Sequence, residues 1–189
     1  GMREDAPGYG INWHERAPYE VLTTDWLSYG DVLLLKGVED MVEVYYNSRQ
    51  FDRTISKIME RYASPFLFFK ELADFYDREG LAGIGHARIA RYEILRRFLS
   101  EEKGWELKEY EQCMVLDLYA RENLKSRPAF ASDLSPYKEQ LKIMTREYGR
   151  QVHVEVLERE RRPVYVMFDY RTRDPLTGDA VMQILEEPE

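Results

Sequence analysis

The stretch VEDMVEVYYNSRQF, residues 38–51, admits two periods. Taken in twos, Val42, Val44 and Tyr46 alternate with Glu43 and Tyr45 as in a strand. Taken in threes and fours, Val38, Met41, Val42 and Tyr45 line one side of a helix. The residues upstream decide for the helix. Ser28 stands three positions ahead of Asp31, a capping-box-like start. Leu34 then extends the apolar side, while Lys36, Glu39, Asp40 and Glu43 take the other. Asn47 with Gln50 predicts the cap of a second helix, whose apolar face is Phe51, Ile55, Ile58, Met59 and Tyr62.

The helical period continues to Gly149. Ser64 as N-cap, Pro65 in the first helical position and a stripe of Phe66, Phe69, Leu72, Ala73 and Tyr76 predict a third helix, closed by Gly80. Ile89, Ile94, Leu95, Phe98 and Leu99 mark a fourth over residues 86–101. Leu107, Tyr110, Met114 and Leu118 mark a fifth over 106–123. Ser135 and Pro136 open a sixth, with Leu141, Met144 and Tyr148 inward. After Gly149 the period shortens to two in QVHVEVLE, PVYVMFDY and DAVMQIL, joined by the turn-rich RERRP and RTRDPLTG. That pattern predicts an antiparallel meander with one face covered by helices, His153 and Glu155 pointing away from it. The expected fold is therefore α+β, mainly helical, with about six helices followed by a small three-stranded antiparallel sheet at the C-terminus.

Three regions follow from the pattern: 1–27 as an extended lead-in, 28–150 as a helical domain, and 151–189 as the meander packed on the helices. The lead-in carries Pro7, Gly8, Gly10 and Pro18 with no sustained period. Its Trp13, Tyr19, Val21, Leu22 and Trp26 are expected to lie against the body. Gly1 before Met2 reads as an expression scar.

Composition changes this picture little. A chain of 189 residues with 44% apolar and 33% charged positions can bury a core, most simply as one domain. Fourteen tyrosines suit a core whose rings keep one polar edge at the surface. A net charge of −8 argues against a nucleic-acid partner. Arg159, Arg161, Arg162, Arg171 and Arg173 are nearly cancelled by Glu155, Glu158, Glu160 and Asp169, which reads as a solvated face. No apolar run approaches the roughly 20 residues of a membrane span and no signal peptide opens the chain, so a cytoplasmic location without a membrane partner is expected.

Candidate chemistry is sparse. No phosphate loop, dinucleotide turn, nucleophile elbow or His-Glu-x-x-His helix occurs. GLAGIG, residues 80–85, follows a helix and reads as an interhelical loop. His14, His86 and His153 match no ligand spacing, so no catalytic residue and no metal ligand is assigned. Cys113 as the one cysteine excludes an internal disulfide or a Cys-rich metal site, and its setting in EYEQCMVLDLY suits a small buried residue. The most suggestive polar run is YARENLKSRP, residues 119–128. There Tyr119, Arg121, Asn123, Lys125 and Arg127, near a helix C-terminus, are candidates to bind a substrate or anion. Complementing the helix dipole is their competing role.

Four stretches taken together resemble a known family: APYEVLTTDWLSYGDVLLLKGVEDMVEVYYNSRQF, SPFLFFKELADFYDREGL, LYARENLKSRPAFA and FDYRTRDPLTGDA. They resemble the C-terminal domain of unknown function appended to radical S-adenosylmethionine proteins of the cobalamin-binding class. The resemblance runs from about residue 17, and residues 38–51 and 119–128 carry most of its weight. It implies a parent polypeptide with a cobalamin-binding domain and a barrel whose three cysteines hold a [4Fe–4S] cluster beside S-adenosylmethionine. This chain lacks that cysteine motif, so it implies no cofactor here. The partner would be the barrel of the same polypeptide, and Trp13, Tyr19 and Trp26 the interface with it; the substrate stays unknown. The implied role is a non-catalytic accessory domain of an iron–sulfur oxidoreductase, covering the barrel or contributing to substrate binding. A free-standing helical interaction module is the alternative, and it predicts no exposed apolar patch around Trp13, Tyr19 and Trp26. A small independent enzyme built on Arg121 to Arg127 is a third reading.

Overall fold

A computed structural model describes residues 2–17, 19–159 and 162–187, and for Met2 and Arg3 the backbone alone. Pro18 of the lead-in and Glu160 and Arg161 of the charged run lie outside the described residues, as do Gly1, Pro188 and Glu189. Among the described residues there are six helices of eight residues or more: α1 (Tyr29–Val42), α2 (Asp52–Met59), α3 (Pro65–Arg78), α4 (Arg88–Arg97), α5 (Lys108–Arg121) and α6 (Lys138–Tyr148). A short pair, β1 (Asn12–Trp13) and β2 (Val21–Thr23), precedes them. Three strands follow: β3 (Val152–Leu157), β4 (Val164–Arg173) and β5 (Ala180–Leu185), antiparallel in the order β3-β4-β5. The helical run followed by a three-stranded sheet is the expected fold.

The chain divides into two compact units, one of Gly1–Asn47 with Tyr62–Ile84, the other of Ser48–Arg61 with Gly85–Glu189. In the first unit the lead-in holds regular pieces that the sequence pattern left irregular. A helical turn at Met2–Asp5 and a 3-10 turn at Ala6–Tyr9 precede the pairing of Asn12 with Thr23 and of Trp13 with Val21. A ladder that short leaves no readable period. Tyr19 and Trp26 are exposed instead of lying against the body, at 65% and 73%.

The start of α1 is a true capping box. Ser28 Oγ accepts from the Asp31 N–H at 3.2 Å, and the Asp31 carboxylate accepts from the Ser28 N–H at 2.9 Å. α1 passes into a π turn at Glu43–Asn47, so residues 38–47 are helical throughout. Val38, Met41 and Tyr45 are its buried side. Asn47 does not cap α2; its amide donates back to Glu43 at 2.6 Å. α1 packs on α3, and Gly37 permits the close approach, since a Cβ there would sit 3.3 Å from the Ala73 Cβ. The buried face of α3 is Phe68, Phe69, Leu72, Phe75 and Tyr76, while Phe66, expected inward, is 44% exposed. The run PFLFF is apolar in every phase, so only packing chooses which rings turn inward. The hydroxyls of Tyr45 and Tyr76 meet at 2.6 Å in this core, and Leu81 N–H closes α3 on the Tyr76 carbonyl across Gly80, whose φ is +65°.

In the second unit α5 is the hub, packing on α2, α4 and the sheet. The expected single stripe of Tyr110, Met114 and Leu118 is widened by buried Gln112, Val115, Asp117, Tyr119 and Ala120. The sheet is covered on both faces, not one. Val152, Val154 and Val156 lie opposite Asp169, Met167 and Tyr165, and with Met144 of α6 they build a core edged by Leu134, Tyr137, Leu141 and Tyr148. The other face, with His153, Glu155 and Phe168, meets α5, so His153 and Glu155 do not point to solvent. A second layer on that side is what a two-residue period cannot announce.

Candidate functional site

The expected anion cluster at 119–127 is pulled apart by its own protein. Tyr119 is buried near the end of α5, with its ring stacked on His153 at 3.5 Å and 10°. The Tyr119 carbonyl accepts from the Tyr170 hydroxyl at 2.7 Å, and the Arg121 carbonyl from Arg173 at 2.9 Å. Strand β4 thereby satisfies two of the carbonyls left open at the helix end. Arg121 itself donates to the carbonyls of Thr177 at 2.7 Å and Arg49 at 2.6 Å, and its Nε lies 3.1 Å from Asp179. Lys125 and Asn123 are exposed and join neither group. Arg121 therefore clamps the β4–β5 turn, whose Asp174 accepts from the N–H groups of Leu176 and Thr177.

Arg127 points elsewhere. Its two terminal nitrogens each donate to one oxygen of Glu155 at 2.7 Å, and its Nε donates to the Ser132 carbonyl at 3.1 Å. The Glu155 side chain is 2% exposed and also lies 3.3 Å from His153 Nε2. Burial by itself would push the Glu155 carboxyl up, but Arg127 and His153 together hold it below the ordinary range. Burial pushes the Tyr119 phenol up, against the pull of Arg127. Tyr119, His153, Glu155 and Arg127 thus form a connected network in which both terminal nitrogens of Arg127 are taken by Glu155.

A second buried carboxylate was not singled out by the sequence. Asp117, 3% exposed on α5, accepts from the N–H groups of Arg53 and Thr54 at 3.1 and 2.9 Å and from the Thr54 hydroxyl at 2.8 Å. It caps α2, whose own N-cap, Phe51, has no side-chain oxygen to offer. Burial pushes its carboxyl up while these bonds pull it down, with the first effect larger.

An open groove of this unit lies along α6. Its volume is about 940 Å³, and it is lined by Lys138, Lys142, Arg146 and Arg150, with Leu134 and Leu141 at its base and Arg127 and Asp133 at one side. Among the described residues Lys142 pairs with Glu139 at 2.7 Å, while Lys138, Arg146 and Arg150 have no ion-pair partner. Lys138, Lys142 and Arg146 stand at every fourth position of α6, and Arg150 follows just past its Gly149 cap.

Of the proposed interface residues, Trp13 is half-buried in β1 and paired with Val21, and Trp26 lies 6.0 Å from the ring of Tyr9. Cys113 is the chain's one cysteine, and burial pushes that thiol up to about 11, away from the thiolate form that binds iron. Among the described residues no group of three or more His, Cys, Asp and Glu is placed to hold a metal ion, and no helix is long and apolar enough to cross a membrane.

A family model described as protein of unknown function (DUF4080) matches residues 7–163. No curated protein and no solved structure matches the chain.

Proposed function

The chain belongs to the DUF4080 family of proteins of unknown function, and from this together with the resemblance of residues 38–51 and 119–128 we propose that it is a non-catalytic accessory domain of a radical S-adenosylmethionine iron–sulfur oxidoreductase. It covers the barrel of that enzyme or contributes to substrate binding. In this reading the [4Fe–4S] cluster, S-adenosylmethionine and, in the cobalamin-binding class, cobalamin belong to other parts of the parent polypeptide. The observation that carries the proposal is the exposure of Tyr19 and Trp26, with the Tyr9 ring beside the indole. Bare aromatic rings of this size cost hydration free energy unless a partner covers them. The alternative of a free-standing module predicts no such patch. The enzyme built on Arg121 and Arg127 is disfavoured, because both guanidiniums are occupied by protein groups.

The first test is the reading frame upstream of Met2. A natural start there, with no cysteine triplet encoded before it, overturns the proposal. The second uses the complete polypeptide with Tyr19→Ser and Trp26→Ser. Faster proteolytic release of this domain, with its own unfolding midpoint unchanged, is expected; equal release rates refute the barrel interface.

A further inference from the structure

We propose that the basic groove along α6 is a binding site for an extended acidic polypeptide segment, with glutamate side chains as its recognised groups. The inference stands apart from the radical S-adenosylmethionine reading and survives its failure. Four cations, Lys138, Lys142, Arg146 and Arg150, line one open groove on a protein whose net charge is −8. Such a concentration of one sign against the overall balance is itself a source of field.

The spacing suits the ligand. Residues four apart on a helix are separated by roughly 6 Å along its axis. Alternate side chains of an extended strand are separated by about 6.6 Å on one face. Carboxylates at every second position of a strand laid along α6 therefore meet Lys138, Lys142 and Arg146 in succession, with Arg150 in the same groove beyond the helix end. The base of the groove is apolar, through Leu134 and Leu141, and takes the side-chain methylenes of Glu better than the shorter Asp.

The neighbouring charges leave the cations available. Arg127 is committed to Glu155 and belongs to the internal network. Asp133 is the one carboxylate on the groove wall; the Ser135 hydroxyl and N–H bind it and hold its carboxyl below the ordinary range. Glu139 pairs with Lys142, but both are largely exposed, so an incoming carboxylate competes at little cost. A polynucleotide would find cations here too, yet the surrounding negative charge opposes a long polyanion more than a short peptide.

The test is fluorescence anisotropy of the full chain with a labelled peptide alternating Glu and Ser, against the same peptide with Gln or Asp for Glu. Binding of the Glu peptide that weakens as salt is raised is expected, with the Asp peptide weaker and the Gln peptide not binding. The double variant Lys138→Gln, Arg146→Gln should weaken binding roughly tenfold, since each exposed pair is a modest contribution. Both residues are exposed, so its circular dichroism and unfolding midpoint should match the parent chain. Lys70→Gln on α3 serves as the control and should bind normally. Equal binding of the Gln peptide, an unchanged double variant, or tighter binding of oligothymidylate or inorganic triphosphate than of the peptide overturns the proposal.

Discussion

Replacing Asp117 with Ala tests whether a side chain on α5 sets the start of α2. The carboxylate holds the N–H groups of Arg53 and Thr54, the Thr54 hydroxyl, and Arg53 Nη1 at 3.3 Å. Thr54 is fully buried, so water cannot replace the lost acceptor there. Loss of a helix cap costs about 1 kcal/mol, and each buried donor left unpaired about 1–3 kcal/mol. The sum expected for Asp117→Ala is about 3 kcal/mol, or a fall of roughly 6–12 °C in Tm for a chain of this size. Asp117→Asn keeps one acceptor and should lose about half as much. Urea denaturation gives the free energies, and hydrogen exchange at Arg53 and Thr54 reports the cap directly. A double-mutant cycle with Thr54→Val should show coupling of about 1 kcal/mol. A loss below about 1 kcal/mol for Asp117→Ala, or unchanged protection of those two amides, would refute the reasoning.

The internal ion pair gives a second test: Arg127→Ala leaves Glu155 buried and uncompensated, for an expected loss of about 3–5 kcal/mol, whereas Arg127→Met with Glu155→Leu should recover most of it, as read by urea midpoints. Because the folded Glu155 carboxyl lies below its ordinary value, its contribution is present above the ordinary Glu range and is lost as pH falls toward the folded value. Asp117 works oppositely: its folded carboxyl lies above the ordinary value, so stability falls as pH rises through the ordinary Asp range. Glu155→Gln should therefore flatten the acid limb of a stability-pH curve, and Asp117→Asn should steepen the net loss toward acid. Ser28→Ala removes the side-chain half of the capping box, the acceptor for the Asp31 N–H, leaves the Ser28 N–H bonded to the Asp31 carboxylate, and should cost about 1 kcal/mol, seen as faster exchange in the first turn of α1. Gly80→Ala forces a Cβ residue to φ +65° and should cost about 1 kcal/mol by chemical denaturation.

What was legible in the residues was local. The capping box at Ser28, the stop at Gly80, the six helical runs and the three strands each rest on atoms within a few positions of one another, so short-range pattern suffices to place them. The tyrosines departed from the expectation of a polar edge at the surface: Tyr45, Tyr76 and Tyr92 are buried, and their hydroxyls bond to one another or to the Gln50 carbonyl, partners distant in the chain. The misreadings share one cause. Asn47 looked like a cap because it stands before a helix, yet the cap of α2 comes from Asp117, more than 60 residues later. His153 and Glu155 looked solvated because they oppose a valine row, yet α5 covers that side.

The sequence by itself determined the order and kind of the six long helices and the three C-terminal strands, and the family to which the chain belongs, since periodicity and motif order are properties of the covalent chain. Tertiary structure decided which charges are spent and which remain. Arg121 and Arg127, conspicuous in the sequence, are consumed by carbonyls and by a buried carboxylate that packing brings to them. Lys138, Arg146 and Arg150, inconspicuous among other charges, stay open because no acidic neighbour among the described residues reaches them. An ion pair depends on distances between residues far apart in the chain, and those distances exist only once the core has closed.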